Sequence, residues 1–300
     1  MKPQQKQQWG MLLGILGVII FAATLPMTRL ATGFGSSPQL SAGFITFGRA
    51  SVAGILSVLY LLLTRSAWLK PKHITPLLIA ACGNVLGYSF FLSMALRQVE
   101  ASHAAVVVGI LPLATATIAS WILHQRPSLG FWLCSILGCS LVVIFLWIKG
   151  GSQSWLPQLA DLYLLMAVLC AATGYVFGAK VTPDLGAERV ICWMLVLTLP
   201  ICLPMAIYYW PSTTIRAASW WGFTYVSLFS MWIGFFAWYR GLDWGGTVRV
   251  SQSLLLQPFF SMLFATFLLN EVLDSLTLGF AFAVILTVFI GRKMPIRQAT

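Results

Sequence analysis

Ten apolar stretches run along this 300-residue chain, separated by short polar connections. They lie near residues 9–28, 40–63, 74–96, 104–123 and 129–148, then near 159–180, 190–210, 220–239, 247–269 and 276–291. An α-helix rises 1.5 Å per residue, so about 20 apolar residues cross a hydrocarbon layer roughly 30 Å thick. Each stretch predicts one membrane-spanning helix, numbered spans 1 to 10 in chain order. No segment alternates apolar and polar positions as a lipid-facing strand does, which argues against a β-barrel. The expected fold class is an all-α membrane protein with ten transmembrane helices. Its connections are too short to hold a separate soluble domain.

Composition strengthens this picture. The chain is 59% hydrophobic and 8% charged, whereas an average soluble domain carries roughly 25% charged residues. The net charge of +11 would suggest nucleic acid in a soluble protein, but its distribution has another source. With a cytoplasmic N-terminus, Lys2, Lys6, Arg65, Lys70, Lys72, Arg126, Lys180, Arg189, Arg240, Arg249, Arg292, Lys293 and Arg297 fall inside. Only Arg29, Arg97, Lys149 and Arg216 fall outside, with Arg49 embedded. That bias places both termini in the cytoplasm and removes the nucleic-acid reading. Span 1, preceded by Lys2 and Lys6, has the outline of a signal peptide, but its repeat partner later in the chain favours a retained span. Cys82, Cys134, Cys139, Cys170, Cys192 and Cys202 all fall within spans, without a C-x-x-C pair or a histidine cluster. They read as small packing residues, and neither a metal site nor a cofactor is expected.

The chain also repeats itself with an offset of about half its length. "FAATLPMTRL" in span 1 faces "LCAATGYVFG" in span 6, with Ala-Ala-Thr at 22–24 and at 171–173. "VVGILPLATATIASWIL" in span 4 faces "SLLLQPFFSMLFATFLL" in span 9, with Pro112 and Pro258 in register. Spans 5 and 10 share small residues every fourth position: Gly130, Cys134 and Gly138 in one, and Gly279, Ala283, Thr287 and Gly291 in the other. These stripes are expected to pack the scaffold within each half, a dimer face being the alternative. The predicted halves are residues 1–150 and 151–300, hinged by "IKGGSQSW" at 148–155. An odd number of spans per half makes the second half enter the membrane from the opposite side. Such inverted repeats mark secondary transporters, whose substrate site lies near the midplane between the halves.

The residues carry a family resemblance. "LPMTRLA" in span 1, "FGRASVAG" in span 2 and "ASHAAVVVGILPLATATIASWILHQRPS" through span 4 resemble the drug/metabolite transporter superfamily, specifically its EamA-type ten-span bacterial members. "YVSLFSMWIGFFAWYRGL" in span 8 and "VSQSLLLQPFFSMLFATFLLNEVLD" through span 9 continue the resemblance over nearly the whole chain. It implies 5+5 inverted repeats, a central cavity lined largely by spans 3, 4, 8 and 9, and the bacterial cytoplasmic (inner) membrane. Related proteins export amino acids, metabolites or drugs, and some import. One departure is "HQRPS" in the first half, where the motif carries an acidic residue such as Glu271 in "LNEVLD".

Candidate substrate contacts follow from spacing. Ser253, Gln257 and Ser261 recur every fourth position and share one helix face, beside the kink that Pro258 imposes. Pro112 with Thr115, and Gly109 on the adjoining face, is a weaker copy in span 4. Tyr225, Trp232, Phe236 and Tyr239 form an aromatic stripe in span 8, and Asn84 and Tyr88 lie one turn apart in span 3. The stripe is either packing or cavity lining, and its hydroxyls and indole need polar partners at membrane depth. Trp210, Trp220 and Trp221 sit at span ends as interfacial anchors. Gly83 and Gly87 let span 3 pack closely.

Arg49 is the sharpest candidate. It lies about nine residues into span 2, hence roughly 13 Å deep. Arginine does not shed its proton, and a charge at a helix centre costs ~2.5–3.5 kcal/mol even on a mild insertion scale. The acidic residues (Glu100, Asp161, Asp184, Glu188, Asp243, Glu271 and Asp274) all fall in loops or at span ends. Arg49 must find backbone carbonyls, for instance near the Pro26 kink, or the anionic group of a ligand; Trp193 holds its register in the second half. Without embedded carboxylates, His103 at the start of span 4 and the end-of-span acids are the remaining groups for proton coupling. No nucleophile with its base lies at membrane depth, so no catalytic residue is expected and an intramembrane enzyme is the remote alternative. The expected protein is a secondary transporter, working by alternating access in the lipid bilayer on a small-molecule substrate. The family resemblance makes amino acids or their relatives, moved outward, the first expectation and lipophilic drugs the second. Monomer and homodimer both remain open.

Overall fold

The computed structural model describes residues 3–34, 37–122, 125–150, 158–245, 250, 252–292 and 296–298. Helices occupy every predicted span. Six of them, among the described residues, are long and apolar enough to cross a bilayer: Gln4–Thr32, Ala42–Leu63, Pro71–Ala95, Ala101–Ile122, Leu159–Leu185 and Ala187–Tyr208. Span 5 is the helix Leu129–Gly150. Span 8 joins Ala217–Tyr225 to Gly234–Gly245 through a π-helical stretch at Val226–Ile233. Span 9 begins with a 3-10 turn, Gln252–Leu256, and continues as Gln257–Leu269. Span 10 is Ser275–Arg292. The hinge expected at 148–155 begins inside the span 5 helix, and its residues 151–155 lie outside the described ones.

Local chemistry sets several helix ends. Ser41 opens span 2 by accepting the Phe44 N–H at 3.0 Å, and Arg65, at φ 46°, lies just past its end. Gln158 and Asp161 form a capping box that opens span 6. Asn270, in the left-handed region at φ 54°, ends span 9. Two short antiparallel strand pairs, outside the sequence expectation, tie down connections. Gly33–Phe34 pairs with Ser37–Pro38, and Gln125–Pro127 pairs with Ile296–Gln298 near the C-terminus.

The packing order shows how the halves relate. Span 1 lies along span 8, and span 3 along span 6. Span 4 meets span 6 as span 9 meets span 1, while spans 2 and 7, 4 and 9, and 5 and 10 pack on each other. Replacing every span by its counterpart five places on returns the same set of pairs. Two halves exchanged by a pseudo-two-fold axis produce this pattern.

Small residues make the closest pairs possible. A side chain on Gly10 would meet the backbone of Gly245, and one on Gly241 would lie 2.7 Å from the backbone nitrogen of Gly14. On the symmetry-related side, Gly83 of span 3 backs onto Cys170 and Gly174 of span 6. In lipid, where apolar surface gives no driving force between helices, such backbone approach supplies the van der Waals contact. The stripes of spans 5 and 10 extend the sequence reading. Gly138 faces Leu113 of span 4 in its own half and Thr287 of span 10 across the boundary, so the stripe packs its own half, as expected, and also joins the two. Gly279 faces open space.

Candidate functional site

Arg49 is 1% exposed, among the largest side chains buried in the protein. It lines a small enclosed cavity at the centre of the bundle together with Phe21, Thr24, Asn84, Tyr88, Tyr175, Ser230, Phe235 and Gln257. The space they enclose is about 10 Å³, room for the centre of about one water molecule. Both halves contribute: spans 1, 2 and 3 from the first, and spans 6, 8 and 9 from the second.

Helix irregularities deliver the polar lining. Thr24 follows the break at Ala23 that divides span 1. Asn84 lies within the π-helical stretch Cys82–Gly87 of span 3, and Ser230 within its counterpart Val226–Ile233 of span 8. Gln257 stands where the 3-10 turn of span 9 becomes α-helix, next to Pro258. Departures from the i→i−4 ladder free backbone groups and re-aim side chains, and π-turns inside α-helices concentrate at functional sites.

The guanidinium of Arg49 has one protein partner among the described residues. Its Nη2 donates to Ser230 Oγ at 3.0 Å, and Ser230 Oγ shares a 2.7 Å hydrogen bond with Thr24 Oγ1. Nε and Nη1 are buried without a partner. Among the described residues, the backbone carbonyls weighed from the sequence do not satisfy it, and no carboxylate lines the cavity.

Four of the sequence-derived candidates meet here: Arg49, Asn84, Tyr88 and Gln257. Ser253 and Ser261 share the buried face of Gln257 but bond to backbone. Ser253 Oγ donates to Val250 O at 2.6 Å, and Ser261 Oγ to Ala22 O at 2.9 Å beside the break in span 1. Tyr225 likewise ties span 8 to span 1, its hydroxyl donating to Ile20 O at 3.0 Å. Tyr239 is fully buried, its hydroxyl against Gly178 of span 6. Trp232 packs on Phe236 and Tyr60, with ring centroids 4.9 and 6.4 Å away. Pro112 is half-buried at the start of the second segment of span 4, after the turn at Gly109 and Ile110, and does not line the cavity. Phe21, Thr24, Tyr175, Ser230 and Phe235 were not singled out from the sequence. The repeated Ala-Ala-Thr of spans 1 and 6 was the available signal, since it marks the level at which Thr24 and Tyr175 enter.

Charged contacts between the halves lie towards both ends of the bundle. At the end where spans 1 and 9 finish, Glu271 Oε1 lies 3.2 Å from Arg29 Nε, and Arg29 also donates to the Val99 carbonyl. The same carboxylate accepts the N–H groups of Ala101 and Ser102 at 2.9 and 3.0 Å, capping span 4. Beside it, His103 Nε2 lies 2.8 Å from Asp161 Oδ1, joining span 4 to span 6. At the opposite end, Asp184 of span 6 bonds Lys72 and His73 of span 3 at 2.7 and 3.0 Å.

Comparison with known proteins supports this architecture. The profile of the EamA-like transporter family matches residues 8–156 and again residues 158–291. Uncharacterized transporter YdeK of Bacillus subtilis (strain 168) is 39% identical over 286 residues, covering 95% of this chain and 97% of its own. Uncharacterized transporter YyaM of the same organism is 22% identical over 268 residues, covering 83% of each chain. A solved crystal structure superposes with a TM-score of 0.63, covering 94% of this chain and 97% of that one. At 19% identity it bears on the fold alone.

Proposed function

The chain belongs to the EamA-like transporter family, and from that premise we propose that it moves a small amphipathic metabolite, an amino acid or close relative, outward across the bacterial cytoplasmic membrane by alternating access. One observation carries the reading: polar side chains from both halves converge with Arg49 on a buried central cavity, and Thr24, Asn84, Ser230 and Gln257 each stand at a break in helix regularity. Such a cavity at the interface of two repeats is where secondary transporters bind substrate. Rocking the halves about it exposes the cavity to each side in turn. Residues 1–150 and 151–300 act as the two moving units, and the excess of Lys and Arg at one end sets that end in the cytoplasm.

The lining supports a cargo that is part polar and part apolar. Asn84, Thr24, Ser230 and Gln257 offer hydrogen bonds, while Phe21, Tyr88, Tyr175 and Phe235 offer aromatic surface. That aromatic half also suits a second reading, export of lipophilic drugs. Counterflow of labelled amino acids in proteoliposomes separates the two. Accelerated uptake into vesicles preloaded with the same amino acid is expected. No counterflow with any amino acid, together with transport of quaternary ammonium compounds, would replace the first reading by the second.

A further inference from the structure

We propose that Arg49 receives a single carboxylate of the cargo, which restricts substrates to molecules with one anionic group; this rests on the transporter reading above. A guanidinium presents five N–H donors in a planar fork. One hydrogen bond, to Ser230, engages Nη2, while Nε and Nη1 are buried and unpartnered. A buried charge is retained only where it is paired and hydrogen-bonded, and among the described residues the cavity supplies no carboxylate. The compensating charge therefore arrives with the ligand.

The chemical class follows from charge and geometry. Among the described residues, Arg49 is the one cationic side chain lining the cavity. A carboxylate brings one negative charge and two oxygens that match the fork. A phosphate monoester brings nearly two charges at neutral pH, leaving a surplus with no second cation to meet it. An ammonium group on the same molecule would find the ring faces of Tyr88 and Tyr175 and the side-chain carbonyls of Asn84 and Gln257 in the same lining, so its chemistry suits a zwitterion once the halves part to enlarge the one-water space.

Position makes this contact more than an anchor. Thr24 and Arg49 belong to the first half and Ser230 to the second, so the Arg49–Ser230 hydrogen bond spans the boundary across which the halves must move. A carboxylate on the free guanidinium edge sits at that same boundary.

The test uses ligand-induced thermal shifts of the full-length protein in detergent, screened with the twenty common L-amino acids. Any amino acid that raises the melting temperature is then compared with its amide, its decarboxylated amine and phosphoserine. Loss of a charge-assisted hydrogen bond predicts binding on the order of 10- to 100-fold weaker for the amide and the amine, and no shift with phosphoserine. Arg49→Gln is expected to abolish the shift, and Arg49→Lys to weaken it. Amide or amine binding as tightly as the acid would overturn the role of Arg49 while leaving amino-acid transport standing, as would an Arg49→Gln protein with the full shift. No shift with any amino acid, but one with quaternary ammonium compounds, overturns the cargo class and this inference together. Should Arg49→Gln fail to fold, the acid-against-amide comparison on the unaltered protein still decides.

Discussion

Glu271 at the end of span 9 lies 3.2 Å from Arg29 at the end of span 1, both nearly buried. Its carboxylate also caps the first turn of span 4 through Ala101 and Ser102, so one side chain of the second half holds two spans of the first. Any motion that parts the halves at this end must release those contacts.

Glu271→Gln keeps the shape of the side chain and removes its charge. Breaking a buried pair costs roughly 3–5 kcal/mol, with the low end expected because the Val99 carbonyl and the Phe34 ring still hold Arg29. The variant should melt at lower temperature and favour the conformation open at this end. A cysteine at Tyr88, in a protein otherwise cleared of cysteine, should then react faster with a membrane-impermeant maleimide applied from that side. Unchanged labelling would mean that Glu271 is not a closing contact.

Asp161 has two duties at the same end. Its Oδ1 pairs with His103 across the halves, and its Oδ2 accepts the N–H of Gln158 to start span 6. Asp161→Ala removes both and should cost roughly 1–3 kcal/mol of stability. Asp161→Asn retains an acceptor and should cost less. Thermal melts of the two variants side by side check the order.

The polar face of span 9 should divide by function. Gln257 lines the cavity, whereas Ser253 bonds to the backbone of Val250. Gln257→Leu is expected to reduce counterflow at least about tenfold, the effect of one or two lost hydrogen bonds to cargo. Ser253→Ala should leave transport within about twofold of the original. Equal losses in both would place the whole face, not Gln257 alone, against the substrate.

Glycine positions separate contact from open space. Gly241→Ala forces a methyl group to within 2.7 Å of the Gly14 backbone, where neither main chain can yield cheaply. Overpacking of this kind costs about 1–3 kcal/mol. Gly279→Ala meets nothing within 4 Å and should be neutral or stabilise by up to ~1 kcal/mol through helix propensity. Melting temperatures of the two proteins should move in different directions, or the first should fall while the second stays.

Span number and the duplication were legible because each rests on a strong regularity: apolar length for the spans and offset repetition for the halves. Arg49 was legible because a charge in an apolar run is costly. The rest of the cavity was less so, for a geometric reason. Helical spacing assigned Ser253, Gln257 and Ser261 to one face correctly, but spacing does not tell which of the three meets cavity and which meets backbone. Ser230 was hidden for another reason. It lies inside a π-turn, where the 3.6-residue period that orders a helix face no longer holds, and the stripe read through Tyr225, Trp232 and Tyr239 passes it by. Partners such as Glu271 with Ala101, separated by 170 residues, are set by tertiary packing that no local pattern encodes.

Ser230 is the residue through which the second half acts on Arg49, and its removal gives a graded test. Ser230→Ala leaves the guanidinium without its protein acceptor, so the side chain must be oriented by ligand alone. Binding of the preferred acid should weaken by roughly three- to tenfold, the net value of about one hydrogen bond. Thr24→Val, which deletes the hydroxyl behind Ser230 without touching Arg49, should have a smaller effect of the same sign. Combining Ser230→Ala with Arg49→Lys should cost less than the two losses multiplied, because residues in one hydrogen-bonded network do not act independently. Full multiplicativity in that double-mutant cycle would show that Ser230 and Arg49 reach the cargo separately, and the relay Thr24–Ser230–Arg49 would then be packing without a role in recognition.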